Sequence, residues 1–133
     1  MRRNLLSAFI FAAATTAALP VLAQSPPYPL LGEEIANYAR ETDRFTIGER
    51  RGPFSELKLR VERGSVRVFG VVVVFGNGKK REFGKDRVVE PGKVGYTIDL
   101  PGQARRVKHV DITYRTLRRS SKRRAIVSLL GQS

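Results

Sequence analysis

The stretch from Val66 to Phe75, with the sequence VRVFGVVVVF, constrains the fold more than any other part of the chain. Apart from one arginine and one glycine it contains only valine and phenylalanine. Their branched or flat side chains suit a pleated, buried surface. The stretch ends at Gly76-Asn77-Gly78, whose Asn-Gly pair favours a tight two-residue hairpin. The sequence therefore predicts a domain built around a buried β-strand.

Gly70 divides this stretch into two halves with different patterns. Val66 and Val68 alternate with Arg67, whereas residues 71–75 are apolar on both faces and are expected at the centre of a sheet. A glycine at such a place is typical of a bulge, or of a bend where the chain passes to another sheet. We favour two strands hinged at Gly70, carrying the chain between sheets. One long straight strand is the alternative.

Alternation of apolar and polar residues marks further strands. In residues 54–62, Leu57, Leu59 and Val61 are expected to face the core while the residues between them face water. Comparable or shorter strands are predicted at residues 43–49, 79–83, 88–89, 96–100, 106–115 and 124–130. Turn signals separate them at intervals of about 8–12 residues. This pattern predicts an all-β fold, a single antiparallel, jelly-roll-like β-sandwich of about eight short strands.

Residues 33–41 are ambiguous. Ile35, Tyr38 and Ala39 have the spacing of one helical face. A short irregular strand over residues 34–38 is the alternative.

The first 23 residues have the features of a cleavable signal peptide. Arg2 and Arg3 precede an apolar, alanine-rich run over residues 5–22, and the run ends in a small-residue site that predicts cleavage after Ala23. Pro20 and two threonines interrupt the run, which argues against a transmembrane anchor. We therefore expect a periplasmic or secreted protein with no transmembrane anchor after processing.

The remaining 110 of the 133 residues are enough for one domain with one core. Residues 24–29 are predicted to form a proline-rich linker and residues 30–131 the β-sandwich. The chain contains no cysteine, which excludes disulfides, thiol catalysis and cysteine-ligated metals.

The chain is strongly basic, with a formal net charge of +13 that falls to +11 once Arg2 and Arg3 are removed. Such a field attracts anionic polymers such as lipopolysaccharide, anionic lipid, acidic glycans or nucleic acid, although it also serves solubility alone. Six of the positive charges fall within residues 115–124, which we call the basic hairpin. These candidate anion-binding residues are Arg115, Arg118, Arg119, Lys122, Arg123 and Arg124. Arginine side chains can hold phosphate or carboxylate groups through forked donors.

Nucleic acid fits this hairpin poorly because none of the four tyrosines lies within it to stack on bases. Further basic pairs and triplets occur at Arg50-Arg51, Lys79-Lys80-Arg81 and Arg105-Arg106. The sequence does not say whether these groups gather at one end of the sandwich or scatter.

His109 and Asp111 form the one histidine–carboxylate pair suggestive of catalysis. At positions i and i+2 of a strand they project from the same face, as an acid–base site would require. However, the chain has only one histidine, and no nucleophile motif accompanies it. We therefore predict no catalytic residue, no metal site and no cofactor, and interpret the pair as part of a solvated strand face.

The core and turn positions of the mature chain resemble a known family. They include Leu31-Gly32, the Leu57/Leu59/Val61 alternation, Asn77-Gly78, Pro91-Gly92, Ile98-Asp99-Leu100, Arg105-Arg106-Val107, and Val110, Ile112 and Tyr114. On these residues the chain resembles the small exported proteobacterial proteins grouped as domain of unknown function 2541. The resemblance implies a secreted or periplasmic β-rich domain and favours extended structure in residues 33–38. It carries over no catalytic residue to this chain.

Taken together, these features predict a non-enzymatic periplasmic module whose basic surface, centred on the basic hairpin, binds an anionic envelope component or a protein partner. A hydrolase that uses His109 and Asp111, and a structural or assembly accessory, are the alternatives.

Overall fold

The computed structural model describes residues 28–48, 51–84, 86–92, 95–117 and 123–133. These residues contain nine strands and no helix: β1 (Leu30–Ile35), β2 (Glu41–Thr46), β3 (Glu56–Glu62), β4 (Val66–Phe75), β5 (Lys80–Phe83), β6 (Arg87–Val89), β7 (Tyr96–Asp99), β8 (Val107–Thr116) and β9 (Ile126–Gln132). The prediction of an all-β fold is confirmed, and the strand number is close to the expected eight. A helix long and apolar enough to cross a membrane is not found among the described residues.

The strands form two antiparallel sheets. The first sheet has the order β1-β9-β3-β7, and the second has the order β2-β8-β4-β5, with β6 pairing to β4 as well. The pairing is nested: β1 pairs with β9, β2 with β8, β3 with β7 and β4 with β5. This nesting is the jelly-roll arrangement of a β-sandwich, as the sequence predicts.

The core lies between the two sheets and comes from alternate residues of each strand. Leu57, Leu59 and Val61 of β3 are fully buried, as the alternation predicts. From the opposite sheet, Val110, Ile112 and Tyr114 of β8 join the same hydrophobic cluster. The Tyr114 hydroxyl donates a 2.6 Å hydrogen bond to Asp43 Oδ2, so this buried polar group is satisfied.

The strand β4 corrects one prediction. Val66–Phe75 is a single strand that stays in the second sheet along its whole length, so the expected passage between sheets at Gly70 is wrong. A register shift between Val68 and Gly70 shows that the glycine does mark a bulge. The bulge shifts the alternation by one residue, because one extra residue changes which face the following side chains occupy. Val66 and Val68 face the core before the bulge, and Val71 and Val73 face it afterwards.

The central position predicted for residues 71–75 is confirmed. Here β4 lies between β8 on one side and β5 on the other, while β6 pairs with the residues before Gly70. Val74 is only 6% exposed although it is not part of the core cluster between the sheets. The outer face of the second sheet is therefore covered at this point.

The segment of residues 33–41 is extended at first and irregular afterwards. Strand β1 ends at Ile35, sooner than the predicted strand over residues 34–38, and β2 begins at Glu41. The helix alternative is wrong. Between the strands, Ala36 is fully buried and its N–H donates to the Ala125 carbonyl at 2.9 Å, which ties this connection to the start of β9.

Connections between strands meet at two opposite ends of the sandwich. At one, the Gly76 end, the turn after β4 bonds to the connection before β8: Gly76 N–H donates to the Arg106 carbonyl at 2.9 Å. At the other, the Ser65 end, Leu117 N–H donates to the Ser65 carbonyl at 2.9 Å. Most of the basic residues named above from the sequence lie at these two ends.

Candidate anion-binding site

His109 and Asp111 do project from the same face of β8, but Asp111 is engaged by another residue. The guanidinium of Arg44, on β2, donates to Asp111 through Nε at 2.8 Å and through Nη2 at 3.1 Å. The distance from His109 Nε2 to Asp111 Oδ2 is 3.8 Å, too long for a hydrogen bond. The arrangement is therefore an arginine–carboxylate pair with a histidine beside it.

The surroundings of His109 favour its neutral form. Its side chain is only 14% exposed, and this burial, followed by the positive charge of Arg44, lowers the pKa of His109 below its ordinary value of 6.5. The hydrogen bonds from Arg44 hold the pKa of Asp111 below its usual value. His109 and Asp111 thus lack the orienting hydrogen bond of an acid–base dyad. His109 is also not among the residues that line the cleft at the Gly76 end.

The basic hairpin is only partly described by the structure. Arg118, Arg119 and Lys122 lie outside the described residues. The other three residues, at the Ser65 end, are Arg115, Arg123 and Arg124. Arg124 Nη1 donates to Asn37 Oδ1 at 2.7 Å, and Arg115 lies on β8 directly across from Arg67 of β4.

Two of the other basic groups lie at the Gly76 end, away from the basic hairpin. Arg105 and Arg106 lie at the Gly76 end, next to the β4–β5 hairpin that carries Lys79, Lys80 and Arg81. Arg51 donates through Nη1 to the Leu30 carbonyl at 2.8 Å, while Arg50 lies outside the described residues. The basic residues therefore do not form one patch around the basic hairpin.

A cleft of about 300 Å³ opens at the Gly76 end. Three of its lining side chains are cationic and none is acidic. The lining residues are Phe75, Gly76, Asn77, Ala104, Arg105, Arg106, Val107 and Lys108. Both arginines come from the connection before β8 and the lysine from the start of β8, so the cleft is a concave surface with a positive rim.

Backbone pairing builds the walls of this cleft. Arg105 exchanges two backbone hydrogen bonds with Phe54, at 2.7 and 2.6 Å, which anchors the connection before β8. A Cβ on Gly76 would lie 3.3 Å from Arg106 Cβ, so glycine allows the turn and the connection to approach closely. Asn77 Oδ1 accepts from Lys79 N–H at 3.0 Å and shapes the turn.

Arg105 occupies a defined position within the cleft. Its guanidinium carbon lies 3.9 Å from the centroid of the Phe75 ring, a close cation–π contact. Phe75 itself is only 3% exposed, so the contact joins the rim of the cleft to the core.

Of the residues that line the cleft, only Arg105 and Arg106 belong to the basic groups noted from the sequence, and neither Lys108 nor Phe75 was a candidate. The cleft joins residues about thirty positions apart, and no local pattern marks that approach. The available signal was the spacing Arg105-Arg106-x-Lys108, which begins three residues after Gly102 of the turn at Pro101-Gly102. Within the described residues, no three histidine or carboxylate side chains gather closely enough to hold a metal ion.

Comparison with known proteins identifies a family. The family model described as "Domain of unknown function (DUF2541)" matches residues 5–131. The chain belongs to this family. None of the curated proteins matches the chain significantly, and neither does any solved structure. Membership of DUF2541 assigns the family but no activity, so the function must be inferred from the site.

Proposed function

We propose that this member of DUF2541 is a non-enzymatic, exported binding module that contacts an anionic component of the cell envelope through the cleft at the Gly76 end. The observation that carries this proposal is the lining of the cleft, with Arg105, Arg106 and Lys108 and no carboxylate. Lipopolysaccharide, anionic lipid and acidic glycan all present phosphate or carboxylate groups that such side chains bind.

The overall charge supports the same proposal. A net charge of +13, or +11 without Arg2 and Arg3, gives the protein a long-range attraction to anionic surfaces. A concave cationic site adds local hydrogen-bond donors to this general attraction. The cleft is favoured over the basic hairpin as the contact because, among the described residues, it combines several cations with a concave surface.

Binding to vesicles tests the proposal. We expect the purified protein to bind phosphatidylcholine vesicles that contain phosphatidylglycerol, to ignore vesicles of phosphatidylcholine alone, and to dissociate as salt is added. The triple variant Arg105→Gln, Arg106→Gln, Lys108→Gln should bind roughly a hundredfold more weakly, since each cation at an anionic surface contributes about 1 kcal/mol.

A charge-matched control comes from the basic hairpin. The variant Arg118→Gln, Arg119→Gln, Lys122→Gln also removes two arginines and one lysine, so it lowers the net charge equally. We expect it to lose much less affinity. An equal or greater loss would move the contact to the basic hairpin, and no charge-dependent binding by the unmodified protein would refute the proposed function.

A further inference from the structure

Strand β1 lies at the edge of the first sheet, with β9 on one side and no described strand on the other. Just after β1, Ala36 N–H donates to the Ala125 carbonyl at 2.9 Å, on the β9 side. Backbone groups of an antiparallel strand alternate in direction from one residue to the next. The N–H and C=O groups of Glu33 and Ile35 therefore point away from β9, towards the open edge of β1.

The beginning of β1 is already closed. Leu30 also directs its carbonyl away from β9, and Arg51 Nη1 donates to this carbonyl at 2.8 Å. The preceding carbonyl, that of Pro29, accepts from Gly131 N–H at 3.1 Å on the β9 side, as the alternation requires. A register shift between Leu30 and Gly32 then separates this part from the rest of the strand. The open edge therefore begins at residue 33.

The side chains along this edge are apolar and acidic. Three large hydrophobic side chains are exposed among the described residues, and two of them belong to β1, namely Leu30 at 50% and Ile35 at 47%. Their partners on β9 are Leu130 and Ile126, which alternate with the core residues of that strand. Both side chains thus lie on the outer face of the first sheet, and Glu33 lies between them.

The open edge of β1 lacks the usual protection against pairing. Edge strands are commonly protected by cationic side chains or proline. The edge strands of the second sheet follow this rule, with Arg44 in β2 and Lys80 in β5, whereas β1 contains neither a cation nor a proline. A second copy of the chain fits poorly here, because both copies are strongly positive and two paired β1 strands would bring Glu33 and Glu34 of each copy together.

We propose that the open edge of β1 binds an extended segment of a protein partner, in which a lysine or arginine has an aliphatic residue two positions away on each side. Side chains two positions apart lie on the same face of a strand, so the cation meets Glu33 while the aliphatic residues lie towards Ile35 and Leu30. Backbone pairing with Glu33 and Ile35 supplies the affinity. This contact goes beyond the proposed function, since no residue of β1 lines the cleft at the Gly76 end.

Three capped seven-residue peptides test the pattern. The arginine peptide has arginine at its centre, valine two positions away on each side and threonine elsewhere. The glutamate peptide has glutamate at the centre, and the proline peptide keeps the arginine but has proline on either side of it, which prevents strand pairing. In NMR titrations of the purified protein, we expect the arginine peptide to bind at least roughly tenfold more tightly than the other two. The net charge of the protein favours the glutamate peptide, so a preference for arginine reports a local contact.

Hydrogen exchange distinguishes strand pairing from other binding at the same surface. When the protein is saturated with the arginine peptide, exchange of the Glu33 and Ile35 amides should slow at least roughly tenfold, because both gain a hydrogen-bond partner. The Glu34 amide points towards Val127 of β9 and should change much less.

The variant Glu33→Gln tests the ionic contact. Glutamine still offers an oxygen to the Ser128 hydroxyl, which donates to Glu33 Oε2 at 3.3 Å, but it carries no charge. The arginine peptide should therefore bind roughly fivefold more weakly. Glu62→Gln is the matched control, because it changes the net charge equally at an exposed position of β3, a strand enclosed between β9 and β7. We expect the control to bind the peptide as the unmodified protein does.

Several results would overturn the inference. These are equal affinity for the arginine and proline peptides, equal or tighter binding of the glutamate peptide, unchanged exchange at Glu33 and Ile35, or equal losses in Glu33→Gln and Glu62→Gln. Self-association of the protein that Ile35→Lys abolishes would assign the edge to a second copy instead.

The triple variant of the cleft separates this inference from the proposed function. The variant Arg105→Gln, Arg106→Gln, Lys108→Gln should bind the arginine peptide at least as tightly as the unmodified protein, even where it no longer binds vesicles. Loss of peptide binding in this variant would contradict a separate contact on β1.

Discussion

Burial of the imidazole is the largest cause of the lowered pKa of His109, and the positive charge of Arg44 acts in the same direction. Asp111, which accepts two hydrogen bonds from Arg44, acts the other way and favours the charged histidine. The pKa of His109 is therefore lower in the folded than in the unfolded protein. Above pH 6.5 the histidine is neutral in both states and leaves the free energy of unfolding unchanged. As the pH falls below 6.5, the unfolded protein takes up the proton more readily, so the free energy of unfolding decreases.

The substitution Arg44→Gln should therefore raise the pKa of His109. NMR titration of the imidazole C–H signals measures this directly, and the chain has a single histidine, so assignment is immediate. When the pH is lowered below 6.5, the variant should also lose less unfolding free energy than the unmodified protein does.

Arg67→Gln is the control for this titration. Arg67 forms a similar two-point pair with Asp86 on the same sheet but is not among the charges that act on His109. An unchanged His109 pKa in Arg44→Gln, or an equal change in Arg67→Gln, would contradict the assigned role of Arg44.

Thr116, at the end of β8, links three elements at the Ser65 end. It is fully buried, its hydroxyl donates to the Ala36 carbonyl at 2.7 Å, and the same oxygen accepts from Ala125 N–H at 3.1 Å. One side chain thus satisfies backbone groups of the β1–β2 connection and of the segment leading into β9. No alternation pattern reveals this role, because threonine at that position is compatible with either face of a strand.

The substitution Thr116→Val keeps the shape of the side chain but leaves both backbone groups without their partner. Since each buried unsatisfied group costs about 1–3 kcal/mol, the unfolding free energy should fall by at least about 2 kcal/mol. Urea denaturation measures the loss. Thr113→Val is the matched control, because the Thr113 hydroxyl bonds to Thr42 on the exposed outer face, and it should cost about 1 kcal/mol or less. Equal losses in the two variants would exclude the linking role.

At the level of the strands, local patterns predict the core well. Leu57, Leu59 and Val61 were assigned to the core from their alternation, which reports the two faces of a strand directly. Gly70 is the instructive failure. Both a bulge and a passage to another sheet place a glycine between two apolar halves, and only the partners of β4 along its whole length distinguish them.

The candidate site was even harder to predict from local sequence patterns than the course of β4. The basic hairpin was conspicuous because its charges are neighbours in sequence, whereas the cleft depends on the approach of Phe75 to Arg105. That approach follows from the pairing of β4 with β8, which is non-local and has no sequence signature of its own.

At the scale of the whole molecule, export remains a prediction that can be measured. Residues 1–27 lie outside the described residues, so the structure does not bear on processing. We expect the protein recovered from the periplasm or medium of a Gram-negative host to begin at Gln24, with a mass that corresponds to loss of residues 1–23. Intact-mass spectrometry with N-terminal sequencing tests this. Recovery of the uncleaved chain in the cytoplasm would refute the signal peptide, and replacing Ala23 by a bulky residue should block cleavage in an exported chain.

The position of β9 has a consequence for the order of folding events. Strand β9 lies between β1 and β3, although the other eight described strands precede it along the chain. While the ribosome is still producing the earlier segments, β1 has no neighbour in its sheet and β3 has only β7. Such distant pairing forms slowly, because a long loop must close before any contact compensates for it. The nascent chain therefore cannot complete the sandwich until residues 126–132 emerge.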